Sequence, residues 1–394
     1  MVTFSPYPAD PRPRRAVESL LKEGMEIDLI CLADDKETEH EKSGGLDVRR
    51  LHIRHRRGGK LSYAWQYSTF ILATAAILAW RLLRRRYDLV YVHNMPDVLV
   101  ACALIPKLLG AKVILDQHDP MPELMTTIYH LGENSFPVRL MRRLEKWSIA
   151  RANAVIAVNI ACQRIFSRRS CPSEKITVVM NAPDDQIFQF QAARSPLPEN
   201  EDSIKPFVIM YHGSIVERNG LDLAVEALAR IRESLPSVQL RIYGRRTAFL
   251  DQVMADADRR GLTASIQYLG PRSLEGLVRE IEACDVGMIP NHRSDFADIN
   301  TPTRIFEYLS LGKPVIAPRT AGICDYFDCN SLVYFEAGDA RDLARKTEFV
   351  FRKPDEVFEI VRRGQEVYRQ HSWPAERQRL TGVVARLLSK GERA

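Results

Sequence analysis

The chain has 394 residues, 45% of them hydrophobic and 27% charged, with a formal net charge of +6. That length is enough for about two domains with sizeable cores, and the composition excludes a disordered chain. Seven cysteines are scattered, with no CxxC pair and no histidine at zinc-site spacing, which speaks against a structural zinc site and for reduced thiols in a cytosolic protein.

The N-terminus, rich in Pro, Asp and Arg, is unlike a signal peptide. "MVTFS" reads as a first strand, short unless the native start lies upstream, and runs into the loop "PYPADPRPRR". A helical pattern, "RRAVESLLKEG", leads to the strand "MEIDLICL" (25–32). The charge is uneven. Residues 1–182 carry 27 Lys+Arg and 19 Asp+Glu, a balance of +8, whereas 183–394 carry 29 and 31, a balance of −2.

Between Val48 and Tyr87 there are ten basic residues (Arg49, Arg50, Arg54, Arg56, Arg57, Lys60, Arg81, Arg84, Arg85, Arg86) and no acidic ones. They bracket "LSYAWQYSTFILATAAILAW", whose uninterrupted apolar run from Phe70 to Trp80 is too short for a span of ~20 residues. Two readings stand. In one, segment 49–87 rests on an anionic membrane surface, with Trp65, Tyr67, Trp80 and Tyr87 at headgroup level. In the other, it is a buried amphipathic helix with solvated ends. Nucleic acid is not expected as a partner, because the basic residues are not interleaved with stacking aromatics.

The strands "YDLVYVH" (87–93), "AKVILDQH" (111–118), "NAVIAVN" (153–159) and "ITVVMNA" (176–182) follow, with the helical stretch "VRLMRRLEKWSIARA" among them. "PDDQIFQFQAARSPLPENEDSIKP" (183–206) is polar and Pro-rich, the composition of a linker. The grammar then restarts with strands "FVIMYHG" (207–213), "VQLRIYG" (238–244), "SIQYLG" (265–270), "CDVGMIP" (284–290), "KPVIAP" (313–318) and "SLVYF" (331–335), and helices over 221–235 and 273–283. Alternating strands and helices imply parallel sheets with right-handed crossovers. The predicted organisation is an α/β domain over 1–182, a linker, and a second over 207–370. A last amphipathic helix, 371–394, packs on the second domain or crosses back to the first. Ligands of such folds bind outside the carboxyl ends of the strands, which collects "YHGS", "IYGRR", "YLGPRS", "IPNHRSD" and "DQHDPMPE" at one cleft.

Three segments carry chemistry. In "NTPTRIFEYLSLGKPVIAPR" (300–319), Thr301 and Pro302 suit a helix start and Gly312 suits its end. The helix N-terminus and Arg304 would hold phosphate, and Glu307, one turn in, would accept hydrogens from a cis-diol such as a ribose. The competing reading is a solvated surface glutamate. In "YHGSIVERNGLDLAVEA", Gly213 permits close backbone approach to an anion and Arg218 offers a bidentate donor to a diphosphate, on what is otherwise a plain strand-to-helix turn. In "LDQHDPMPE", Asp116, His118, Asp119 and Glu123 gather at a strand end. The cluster reads as acid–base, metal-binding or structural, and with one nearby histidine a metal site is not expected.

Together these motifs resemble the family 4 glycosyltransferases, retaining enzymes of the GT-B fold that use nucleotide-sugar donors. The resemblance also takes in "YDLVYVHNMPDVLVACAL", "ANAVIAVN", "VVMNAPD", "LRIYGRR", "YLGPRSLEGL" and "DVGMIP", and so covers nearly the whole chain. It implies two Rossmann-like doubly wound domains facing across a cleft, the first binding acceptor and the second binding donor. It implies that Glu307 binds the donor ribose, that Arg218 binds the diphosphate, and that His118 lies near the donor sugar, these three forming the catalytic set. Gly213, Ser214, Asn219, Gly244, Gly270, Asn300, Thr301 and Arg304 complete the donor side, and Pro6, Asp10, Arg12, Asn94 and Asp119 line the acceptor side.

The chain departs from the family pattern in places. The first acid of the Glu-x7-Glu motif falls at Ile299, and Asn300, Pro302, Arg304 and Glu307 give the Asn-x-Pro-x-Arg-x-x-Glu form instead. Ser214 and Asn219 stand where the family has Arg and Lys, so Arg218 and Arg304 are left to carry the diphosphate. The expected co-substrate is a UDP-sugar or a GDP-sugar with no metal, the acceptor a glycan or lipid-linked sugar, and the location the inner face of the cell membrane. An epimerase or phosphorylase on the same fold, or a degenerate membrane-bound partner, are the rival readings.

Overall fold

A computed structural model describes residues 1–34, 37–53, 60–195 and 205–389. The chain divides into two compact units, the first comprising Met1–Asn181 with the segment from Glu376 onward, the second Ala182–Ala375.

Unit 1 is built on strands β1 (Val2–Pro6), β2 (Ile27–Leu32), β3 (His40–Ser43), β4 (Leu46–Leu51), β5 (Leu89–His93), β6 (Lys112–Gln117), β7 (Ala154–Ala157) and β8 (Ile176–Val178). They form one sheet in the order β3-β4-β2-β1-β5-β6-β7-β8, in which only β3 runs antiparallel to its neighbour. The strands β2, β5, β6 and β7 are short apolar runs because both sheet faces are covered by helices, leaving no polar face to alternate with.

The β3–β4 hairpin corrects the sequence reading, which placed no strand over 40–51. Its basic residues also do other work than expected. Arg50 is buried and pairs with Glu37 and Glu41, both at 2.7 Å. Arg81 is buried against Asp28 at 3.0 Å and Asp47 at 3.3 Å, and Arg85 reaches Asp28 at 2.8 Å. These three arginines hold strands together. Arg54, Arg56 and Arg57 lie outside the described residues.

The segment with two readings is a single helix, Lys60–Leu82. Gln66, Phe70, Thr74, Leu78 and Arg81, spaced one turn apart, face the core, while Trp65, Leu72, Trp80 and the following Leu83 are exposed. Three of the five residues in the buried stripe are polar and the exposed stripe is largely apolar, so hydrophobic periodicity could not have oriented this helix. Tyr67 packs edge-on against Phe4 at 4.9 Å and the Tyr87 hydroxyl donates to Asp28 at 2.5 Å, so neither belongs with the exposed tryptophans. Among the described residues no helix is long and apolar enough to cross a membrane.

Helix Trp373–Ser389 closes unit 1 from Glu376 on. Glu376 is fully buried and accepts from the Met180 backbone N–H at 2.9 Å, Arg377 pairs with Glu23 at 3.0 Å, and Leu380, Val383 and Val384 are buried.

Unit 2 carries β9 (Phe207–His212), β10 (Val238–Tyr243), β11 (Ile266–Tyr268), β12 (Val286–Met288), β13 (Val315–Pro318) and β14 (Val333–Phe335). All pairs are parallel and the order is β11-β10-β9-β12-β13-β14. Counted within the unit this is the doubly wound order 3-2-1-4-5-6, whose direction of winding reverses between β9 and β12. The segment 183–195, read from composition as linker, instead packs on this unit. Phe188 is buried, Gln191 donates to the Ser310 carbonyl at 2.7 Å, and the Gln365 amide brackets the segment through the Ala193 N–H and the Gln191 carbonyl.

Candidate functional site

Two clusters collect the residues singled out in the sequence, one at the carboxyl ends of the strands in each unit.

In unit 2 the cluster sits at the switch point between β9 and β12. The helix Thr303–Ser310 begins after Pro302, and Thr301 does not cap it. The Thr301 hydroxyl donates to the Gly322 carbonyl at 2.7 Å. A Cβ on Gly322 would lie 2.6 Å from Ile299, so the loop carrying Asn300 and Thr301 is pressed onto a glycine. The other end matches expectation. Gly312, at φ +68°, donates to Leu309 and Lys313 donates to Tyr308, the bond pair of a Schellman motif.

That helix aims two side chains at the end of β9. Arg304 donates to the His212 carbonyl at 2.8 Å and to the Asn291 side chain at 3.3 Å, tying the strand ends on both sides of the switch point. Its guanidinium lies over Tyr211, 5.6 Å from the ring centre. Glu307, 15% exposed at its side chain, brings Oε2 to 3.3 Å from His212 Nε2. Burial and the nearby Arg304 push His212 down to about 3, so the ring is neutral and the contact is not an ion pair at neutral pH. Glu307 is therefore a half-buried carboxylate at the ligand edge of the sheet and not a solvated surface group.

The glycines named in the sequence line the same edge. Gly213 has φ +113° and packs against the Arg304 side chain. A Cβ on Gly244 would lie 2.3 Å from the Gly213 carbonyl, and the Gly244 N–H donates to Gly270 at 3.2 Å. Ser214 and Asn219 are joined to each other, the Asn219 amide donating to the Ser214 carbonyl at 2.7 Å. This bond folds the loop that presents Arg218. The Arg218 carbonyl accepts from His292 at 3.1 Å, but its guanidinium has no hydrogen bond or ion pair among the described residues. His292 in turn bonds Asp222 at 2.8 Å, which raises the imidazole above its ordinary range. Reading by sequence missed His212, Asn291 and the Asp222–His292 pair. His212 and Asn291 were visible only as parts of strand-end loops, and their partners are remote in the chain.

In unit 1 the centre is Asp116, at the end of β6 and almost fully buried. Arg12 donates to it through Nε at 3.1 Å and a terminal nitrogen at 2.6 Å, and the Tyr91 hydroxyl donates at 2.8 Å. Arg12 also reaches the Val179 carbonyl and the Asn181 side chain. The arginine holds the Asp116 carboxylate far below the usual range against the opposing effect of burial. Asp10 caps the helix Pro11–Lys22 by accepting from the Arg12 N–H at 3.1 Å, and Pro6 ends β1. Asn94 is buried and fully used. It donates to Asp97, Gln117 and the Asp119 carbonyl, and accepts from the His118 N–H at 2.7 Å. Its role is to shape the loop that carries His118 and Asp119. Burial lifts its partner Asp97 to about 7. Glu123, grouped with His118 by sequence, instead pairs with Arg169 at 2.6 Å in a network with Glu145.

His93, Asp116 and His118 place their ligating atoms within 4.8 Å of one another. The carboxylate already receives the Arg12 guanidinium, whose shortest contact is to Oδ1, and the Tyr91 hydroxyl at Oδ2, the oxygen the two histidines approach.

Two largely parallel α/β units, the second with an acid and an arginine at its switch point, match the GT-B class of fold. A model of the glycosyl transferase 4-like domain matches residues 9–182, and one of the glycosyl transferases group 1 matches 206–352. The chain belongs to the family 4 glycosyltransferases. Among curated proteins it is 21% identical over 240 residues to a probable glycosyltransferase, WbjE, of Pseudomonas aeruginosa, which is 60% of this chain and 59% of that one. It is 24% identical over 216 residues to a putative colanic acid biosynthesis glycosyltransferase, WcaL, of Escherichia coli K12, covering 51% of this chain and 48% of the relative. The matches thus span only about half to three-fifths of those proteins. The fold is shared over the full length with sucrose-phosphate synthase of Thermosynechococcus elongatus, at TM-score 0.77 and 16% identity over 99% and 98% of the two chains. It is likewise shared with Anabaena Alr3699/HepE, solved with UDP-glucose, at TM-score 0.69 and 16% identity over 98% and 99%.

Proposed function

We propose that the protein moves a sugar, with retention, from a nucleoside-diphosphate donor to a hydroxyl of a lipid-linked or cell-surface glycan. The observation that carries this is Glu307 beside His212 and Arg304 at the switch point of unit 2. In this reading Glu307 accepts both ribose hydroxyl hydrogens. Arg218, with no protein partner for its guanidinium among the described residues, meets the diphosphate, and Arg304 and the N-terminus of helix 303–310 add positive potential. Negative charge grows on the β-phosphate as the sugar leaves, and preorganised cations acting on that charge supply the largest part of the rate. The acceptor hydroxyl attacks from the face the diphosphate vacates and passes its proton to it. In this reading His118 contacts the donor sugar and Asp119 the acceptor. A UDP-sugar is the favoured donor, as in the Anabaena neighbour solved with UDP-glucose.

The exposed, apolar side of helix 60–82 supports the reading that the acceptor is met at the inner face of the membrane. Trp65, Leu72, Trp80 and Leu83 would enter the interface, with Arg84 and Arg86 on anionic headgroups.

Thermal denaturation with UDP, GDP, dTDP and ADP tests the donor site. One diphosphate at ~100 times its dissociation constant should add about 2.7 kcal/mol of stability. No shift with any of the four would overturn the assignment. Sedimentation with vesicles tests the surface, and equal binding to neutral and anionic vesicles would remove its electrostatic part.

A further inference from the structure

His93 is fully buried at the carboxyl end of β5 and has no part in the chemistry set out above. Its Nδ1 lies 3.0 Å from His118 Nε2 and 3.4 Å from Asp116 Oδ2. Its Nε2 is buried and has no partner among the described residues. The His118 Nε2 is 3.9 Å from the same carboxylate oxygen, and the His118 side chain is 17% exposed.

These distances choose between two proton arrangements. With the proton on Nε2, His93 would bury an N–H with nothing to receive it and turn a lone pair toward a carboxylate. With the proton on Nδ1, that N–H lies between the Asp116 carboxylate and His118 Nε2, and only a lone pair is left without a partner. Orphaned buried N–H groups are the rarer and costlier kind. The His118 Nε2 must then be an acceptor, which puts its own proton on Nδ1.

We propose that His93 is a positioning residue. Oriented by Asp116, it locks His118 in the Nδ1–H tautomer and turns that N–H outward as a fixed hydrogen-bond donor. The proposal rests on the reading that His118 meets the sugar end of the substrates. Four groups face the ring pair: Asp116, Arg12, Tyr91 and the partner imidazole. Burial, Arg12 and His93 together hold His118 well below the ordinary imidazole range despite Asp116. The ring stays neutral at neutral pH, so it donates a hydrogen bond and does not serve as a general acid.

Nitrogen-15 NMR of the full chain labelled at histidine reads the tautomer directly. Wild type should show His118 protonated on Nδ1, and His93→Phe should return it to the Nε2–H form. Turnover should fall 10- to 100-fold in His93→Phe, the range for loss of a group that orients another. The donor KM should change less than threefold. His93→Gln, which keeps an N–H donor, should recover part of that loss and keep the Nδ1–H form, and His93→Leu, which has no donor, replaces the Phe variant should that one fail to fold. Finding His118 protonated on Nε2 in wild type, or the same tautomer in both proteins, overturns the proposal. A changed tautomer with unchanged turnover overturns the positioning role. If no nucleotide sugar is turned over at all, the spectra still decide the tautomer while the functional reading fails alone.

Discussion

Replacing Asp116 by Asn removes the negative charge opposite a buried guanidinium. Arg12 is 8% exposed and Asp116 1% exposed, and their closest approach is 2.6 Å. An amide offers Arg12 one neutral oxygen and turns an NH2 group toward the Tyr91 hydroxyl, His93 or Arg12 itself. Breaking a buried pair in this way costs about 3–5 kcal/mol, because the surviving charge stays desolvated. Unit 1 contains close to two hundred residues, for which 1 kcal/mol moves the transition by about 2–4 °C, so the drop should be roughly 6–20 °C. Scanning calorimetry of wild type, Asp116→Asn, Arg12→Met and the double variant measures it. The double variant should be less damaged than the sum of the singles by at least about 1.5 kcal/mol, since contacting charges couple. The acid side follows the same logic. A carboxylate depressed in the folded state adds stability that is present above its unfolded value near 3.9 and is lost as pH falls below it. Wild type should therefore lose more stability than Asp116→Asn between pH 5 and pH 3. A shift under 2 °C for Asp116→Asn, or strictly additive variants, would refute the reasoning.

Gly220→Ala should destabilise unit 2 by more than about 2 kcal/mol, because φ is +68° and the new Cβ would sit 1.9 Å from the Pro290 carbonyl oxygen, whereas Gly270→Ala, at φ +74° but with open space, should cost only about 1 kcal/mol; thermal denaturation compares them. The His292 imidazole is raised by Asp222, so the pair is fully formed below the unfolded value near 6.5 and is lost as pH rises through the raised one. Asp222→Asn should lower the His292 titration midpoint seen by NMR, and an unchanged midpoint would refute the pairing. Trp65→Ser with Leu72→Ser should leave the melting temperature within about 2 °C, since 75% and 70% of these residues are already exposed, yet reduce sedimentation with anionic vesicles at least fivefold.

Much of the fold was legible because a parallel sheet covered on both faces demands short, nearly continuous apolar strands such as "LVYVH" and "FVIMYH". The hairpin 40–51 was not, because its charged residues look solvated until Arg50 meets Glu37 and Glu41. Helix 60–82 was legible as a helix but not as to face, since its buried stripe includes Gln66, Thr74 and Arg81. Local chemistry gave the Gly312 helix end, which depends on four neighbouring residues. It misjudged Thr301, whose hydroxyl is drawn to Gly322 across the loop. Glu307 could be picked out by spacing, but its seat against His212 comes from strand order. Likewise His118 stood out at a strand end, while His93 needed the register of β5 against β6 to be brought beside it.

The central claim is that Glu307 reads the ribose of a nucleoside diphosphate. Calorimetric titration of wild type and Glu307→Gln, each with the favoured diphosphate and its 2′,3′-dideoxy form, tests it most directly. Wild type should bind the ribose form at least tenfold more tightly, about 1.4 kcal/mol, and Glu307→Gln should bind the two nearly alike. Equal affinities in wild type, or a preference that survives in Glu307→Gln, would contradict the account.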